Sequence, residues 1–121
     1  MPERKNVGTR RQRILKPVSM SVIRQMAARV VRLFQPERVI LFGSYARGKA
    51  GPDSDVDLLV VMDVATNKRD AVVEIAVALN EFPAPKDIFV STPEEFEWRK
   101  QIIGTLERPA NNEGKVLYAR R

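Results

Sequence analysis

Apolar residues along the chain follow two spacings, and the alternation between them predicts its elements. Ile23, Met26, Ala27, Val30 and Phe34 recur three and four apart, which places them on one face of a helix. Ser19 or Ser21 can cap that helix, and Pro36 ends it. The run Val39, Ile40, Leu41, Phe42 predicts a strand over 38–42 that stops in a tight turn at Gly43-Ser44. Ser44 to Ala46 starts a short helix, and Arg47 to Ser54 is a loop broken by Gly48, Gly51 and Pro52. A second strand is expected over about 55–62.

Lys68 to Phe82 predicts a second long helix with Val72, Ile75, Ala76 and Leu79 on its buried face. Asp70 and Glu74 suit its positive end, and Pro83 and Pro85 stop it. Lys86 to Ser91 is a third strand in which Asp87, Phe89 and Ser91 share one face. Thr92-Pro93-Glu94-Glu95 is a capping box with proline at the first helical position, opening a helix through Phe96, Arg99, Ile102 and Ile103 to Gly104. Pro109 is expected to interrupt the next stretch and Gly114 to end it, and Val116 to Ala119 adds a short edge strand. Helices alternating with strands predict an α/β (α+β) domain: a small mixed sheet with helices packed on one side.

The 121 residues suit one domain over 18–121 behind a basic arm over 1–17. The net charge of +6 lies mostly in that arm. Residues 1 to 16 hold Arg4, Lys5, Arg10, Arg11, Arg13 and Lys16 against Glu3 alone. The remainder, with 15 basic and 14 acidic residues, is almost neutral. The arm suits contact with nucleic acid or an acidic partner face. A solvated flexible arm fits equally, because no aromatic residues interleave with its basic ones for base stacking. The absence of cysteine and histidine excludes disulfides, thiolate zinc sites and Ser-His or Cys-His catalysis. With no membrane-length apolar run and no signal-peptide core, a cytoplasmic location is expected.

The chemistry concentrates at Asp55 and Asp57. Two apart on a strand, they point to one face with alpha carbons roughly 6.5 to 7 Å apart. Such carboxylates repel and raise each other's pKa unless a cation neutralises them, and all-oxygen ligands suit magnesium. A charge between Val56 and Leu58 is also costly without a partner. Gly43 to Ala50 nearly matches a P-loop, but Ala50 lacks the hydroxyl for the metal and Gly51-Pro52 forbids the helix that must follow. Asp53, Asp55 and Asp57 imitate a calcium loop, yet Leu58 replaces the turn glycine and Val64 the final Glu. Asp53 reads as a turn residue in Pro-Asp-Ser.

Gly43-Ser44 followed after ten residues by Asp55-x-Asp57, in the wording LFGSYARG…SDVDLLV, resembles the signature of the polymerase-beta-like nucleotidyltransferase superfamily. It is similar to the minimal single-domain members, commonly partners of HEPN-domain proteins in toxin–antitoxin pairs. The resemblance covers roughly residues 18 to 121 and implies the nucleotidyltransferase fold. It also implies that Asp87 is a third carboxylate beside Asp55 and Asp57, although a surface Asp starting a strand next to Lys86 would look the same. Ser44 and the amides around Gly43 would hold the beta and gamma phosphates, with Gly43 letting the backbone come close. The plainer role for Ser44 is a helix cap. Arg47 and Lys49 could neutralise triphosphate charge, though Lys49 also reads as a solvated loop lysine. Trp98 and Tyr118 read as packing residues.

The expected activity is magnesium-dependent nucleotidyl transfer, with two Mg2+ ions about 3.5 to 4 Å apart and the three carboxylates as ligands. By resemblance, AMP passes from ATP, the nucleoside triphosphate donor, to a hydroxyl of a HEPN-type toxin, expected to be a tyrosine, and the protein acts as antitoxin. The shortness of the chain, with no second substrate domain, points to a partner that supplies the acceptor. Two alternatives stay open: a non-catalytic antitoxin that works by occlusion, and transfer to a small molecule.

Overall fold

The computed structural model describes residues 17–121, so the basic segment over 1–16 lies outside the described residues. Four helices and four strands follow one another: α1 (Met20–Phe34), β1 (Arg38–Phe42), β2 (Val56–Val61), α2 (Lys68–Ala78), β3 (Lys86–Ser91), α3 (Pro93–Arg99), α4 (Glu107–Glu113) and β4 (Lys115–Ala119). A single 3-10 turn over Gly43–Tyr45 leaves the end of β1.

The strands form one sheet in the order β3-β2-β1-β4. β1 runs antiparallel to both β2 and β4, and β2 runs parallel to β3, so the sheet is mixed. The parallel pair requires a crossover, and α2 supplies it.

Ser19 is the residue that caps α1, accepting a hydrogen bond from the Val22 amide, while Gln35 in the left-handed region at φ 50° closes the helix before Pro36. Ile23, Met26, Ala27 and Val30 are buried, as their spacing predicts. They pack with Val39, Leu41, Val56, Leu58, Val60, Ile75 and Leu79 into the larger part of the core. Alternation along the strands sends Ile40, Phe42, Leu59 and Val61 to the opposite face. That face is covered too: Phe96 of α3 and Ala110 of α4 pack on it. The two long helices therefore lie on one side, and two seven-residue helices close the other, so packing on one side holds for α1 and α2 alone. Period two with apolar residues at every position, as in Leu58 to Val61, already implies burial on both faces.

Five local expectations change. The buried face of α2 is Ala71, Ile75 and Leu79, with Val72 half-buried and Ala76 exposed. The helix stops at Ala78, four residues early, where Arg29 of α1 donates a hydrogen bond to the Ala78 carbonyl at 3.0 Å and lies over the Phe82 ring at 5.0 Å. Pro109 does not interrupt α4. It sits in the first turn, where the missing N–H would have no intrahelical acceptor. Trp98 is not a packing residue, since it is 57% exposed beneath the Arg99 guanidinium. The capping box forms with both hydrogen bonds present, but the helix it opens ends at Arg99, leaving Ile103 on the surface. No described helix is long and apolar enough to cross a membrane.

Candidate functional site

The site grows from the place where β1 runs out of partners. Phe42 pairs with Asp57 as the last rung of the β1–β2 ladder, and the chain then enters the Gly43–Tyr45 turn. Gly43 has φ +76°, a conformation that L side chains rarely adopt. A Cβ there would stand 2.2 Å from Oδ2 of Asp57 and 3.2 Å from its Cγ. The missing side chain of Gly43 is thus the space that the Asp57 carboxylate occupies. Four backbone bonds wind the turn on: Ala46 N to Gly43 O, Arg47 N to Gly43 O, Gly48 N to Tyr45 O and Lys49 N to Ser44 O. Tyr45 is buried, and its phenol oxygen accepts a hydrogen bond from the Val18 amide at 2.9 Å.

Asp57 and Asp87 are direct partners across the parallel pair β2–β3. Both strands turn these residues to the face of Phe42 and Phe89, whose rings lie 5.6 Å apart. Asp55 precedes β2 in the loop and is exposed. The carboxyl of Asp57 is pushed up from its ordinary pKa, first by burial, then by the charges of Asp87 and Asp55, with Arg47 pulling the other way. That of Asp87 is also pushed up, by burial and then by Asp55. Asp57 and Asp87 therefore each feel the charge of Asp55. Among the described residues, no group of three or more acidic side chains is drawn together tightly enough to hold a metal ion ready-made. The donors are all oxygen and Arg47 offsets their mutual repulsion only in part, which fits a divalent cation as the group that would gather them.

Arg47 and Lys49 are exposed on the loop that follows the turn. Arg47 meets Glu113 of α4 at 3.7 Å. Glu113 reaches it because α4 leaves along β1 at Gly114, where a Cβ would lie 2.3 Å from the Ala110 carbonyl oxygen and 2.9 Å from that of Leu41. Asp53, by contrast, belongs to the turn after Gly51, where Ser54 Oγ accepts from the Gly51 amide.

On the same sheet face, at the far end of β3, sits a pair that periodicity gives no sign of. Ser91 is fully buried and donates a hydrogen bond to Oε2 of Glu107, itself only 3% exposed. Oε1 of Glu107 has no partner among the described residues. A glutamate opening a helix ordinarily reads as a favourable charge at its positive end, so nothing in the sequence marks it as buried.

The sequence matches a family model described as a nucleotidyltransferase domain over residues 23–111. A Methanocaldococcus jannaschii protein assigned as a protein adenylyltransferase is 36% identical over 83 residues, 68% of this chain and 78% of that protein. A solved structure from Sulfolobus solfataricus, assigned as a nucleotidyltransferase, superposes with a TM-score of 0.58 at 21% identity, covering 93% of this chain and 86% of the other. That likeness is one of fold. A toxin–antitoxin complex with AMP-PNP is further off, with a TM-score of 0.47, 19% identity and coverage of 81% and 74%.

Proposed function

The chain belongs to the nucleotidyltransferase domain family and is a nucleotidyltransferase, and we propose that it transfers AMP from ATP to a hydroxyl of a partner protein. By its sequence resemblance to minimal nucleotidyltransferases, that partner is a HEPN-domain toxin, the acceptor a tyrosine, and the outcome neutralisation. The choice of AMP and of a protein acceptor is supported by the assigned activity of the M. jannaschii relative. The observation that carries the reading is the placement of Asp57 and Asp87 as neighbours on one sheet face, with Gly43 against Asp57.

In this reading Asp55, Asp57 and Asp87 are the magnesium ligands. When bound, magnesium supplies charge relief on the attacking and leaving oxygens. The remaining work falls to the chain. The turn amides after Gly43, with Ser44, hold the donor's terminal phosphates, and the positive φ of Gly43 brings that backbone beside the carboxylates. Arg47 turns from Glu113 to the triphosphate, with Lys49 beyond it on the same loop. Asp87, the more exposed of the neighbouring pair, receives the proton from the acceptor hydroxyl as its oxygen bonds the alpha phosphorus of ATP, the bond to the beta phosphate breaks and pyrophosphate leaves.

The test compares wild type with Asp57→Asn on a purified HEPN-type partner, with ATP and magnesium present. Intact mass should rise by one AMP unit with wild type and stay unchanged with the variant, which should still bind the partner. Neutralisation by the variant, with no mass shift even from wild type, sinks the reading.

A further inference from the structure

Between α1 and β4, on the sheet face away from Asp57, lies a groove of about 360 Å³. Ala27, Ala28, Val31, Leu117 and Tyr118 line it, and Arg24 and Arg32 stand at its rim. Arg24, Ala28 and Arg32 recur every four residues, so they form one stripe along the helix. The helical rise sets the backbone positions of Arg24 and Arg32 about 12 Å apart along α1. Small residues between them let another backbone come close. Neither α1 nor β4 contains an acidic residue, and Lys115, Arg120 and Arg121 bracket the strand. None of the described carboxylates forms an ion pair with Arg24 or Arg32.

We infer that this groove is the docking site for an amphipathic acidic helix of a partner protein. The apolar floor takes the partner's aliphatic side chains, and the two arginines take carboxylates about two helical turns apart on it. Charge decides against the two other occupants. The chain's own segment over 1–16 carries six basic residues and one acidic one, so it would bring like charge to Arg24 and Arg32. A second copy meeting this face across a two-fold axis would set the same arginines against each other. The groove lies behind the sheet from the carboxylates, so a partner held there leaves Asp57 and Asp87 open. This inference stands on the groove alone and needs neither nucleotide nor metal.

The probe is a fluorescein-labelled helical peptide of about 18 residues, with leucines three and four apart on one face and glutamates eight apart beside them. A second peptide carries lysine in place of each glutamate. Fluorescence anisotropy on the full chain, without ATP, should show the acidic peptide binding and the basic one not. The double variant Arg24→Glu, Arg32→Glu should weaken the acidic peptide at least about tenfold and begin to bind the basic one. Both positions are exposed, and a circular-dichroism melt matching wild type verifies the variant's fold. Ala28→Trp, which fills the floor and leaves the charges, should also abolish binding. Acidic-peptide affinity unchanged in the charge variant overturns the inference. So does preference for a single-stranded RNA that the same variant loses, or a dimer in sedimentation that the variant dissolves.

Discussion

Asp57 and Asp87 sit opposite each other on adjacent parallel strands, and both carboxyls are held above their ordinary pKa. In the folded protein they keep protons at a pH where the unfolded chain has released them. Stability is then greatest below the ordinary carboxylate range, falls as pH rises from about 4 through the raised values, and levels off above them. Asp57→Asn and Asp87→Asn should each flatten that fall. In metal-free buffer at neutral pH each should raise the Tm by a few degrees, on the order of 2–4 °C. A lower Tm in both variants would mean that burial and the neighbouring carboxylates do not hold these groups above their ordinary values.

Divalent cation should reverse that ranking. Titration calorimetry of wild type with magnesium should show binding that strengthens when ATP is present. Asp55→Asn with Asp57→Asn should abolish it, because the remaining carboxylate cannot hold the ion alone. Equal heats from wild type and the double variant would remove the ligand assignment.

Gly43→Ala places a methyl group where Oδ2 of Asp57 lies and keeps a backbone that alanine disfavours. The expected cost is roughly 2–4 kcal/mol in urea unfolding. Transfer should fall by at least about a hundredfold, since Asp57 must move. A variant of wild-type stability would show that the turn relaxes freely.

The Ser91–Glu107 pair makes a sharper structural test. Ser91→Ala leaves a buried carboxylate with both oxygens unpartnered and should cost on the order of 3 kcal/mol. Ser91→Ala combined with Glu107→Leu should recover most of that loss, because neither polar group remains to be satisfied. Denaturant midpoints that simply add would argue that the two do not act as a pair.

The strands could be placed from sequence because each is an apolar run ended by a turn signal, as at Phe42-Gly43 and Pro85-Lys86. The two-residue repeat put Asp55 and Asp57 on one strand face, but β2 begins at Val56 and Asp55 lies in the loop before it. Asp87 was another matter: its partnership with Asp57 depends on how two strands 30 residues apart are aligned, and only the resemblance pointed to it. The reason for Gly43 was legible in half. Its positive φ follows from the turn, but the carboxylate lying against it is a contact of the folded sheet. Ala71 rather than Ala76 faces the core because α2 is oriented by β3 and by Arg29, which propensity cannot see. Glu107 is hidden for the same reason, since burial there comes from α3 and the sheet rather than from its neighbours in the chain.

The hydrogen bond from the Val18 amide to the Tyr45 phenol joins the first described residues to the turn beside the carboxylates. Only Ser19 separates Val18 from α1. Tyr45 belongs to the core itself, so this one bond fastens the start of α1 to the turn that follows Gly43. Tyr45→Phe, which keeps the ring and removes the hydroxyl, would cut that connection while leaving both ends in place.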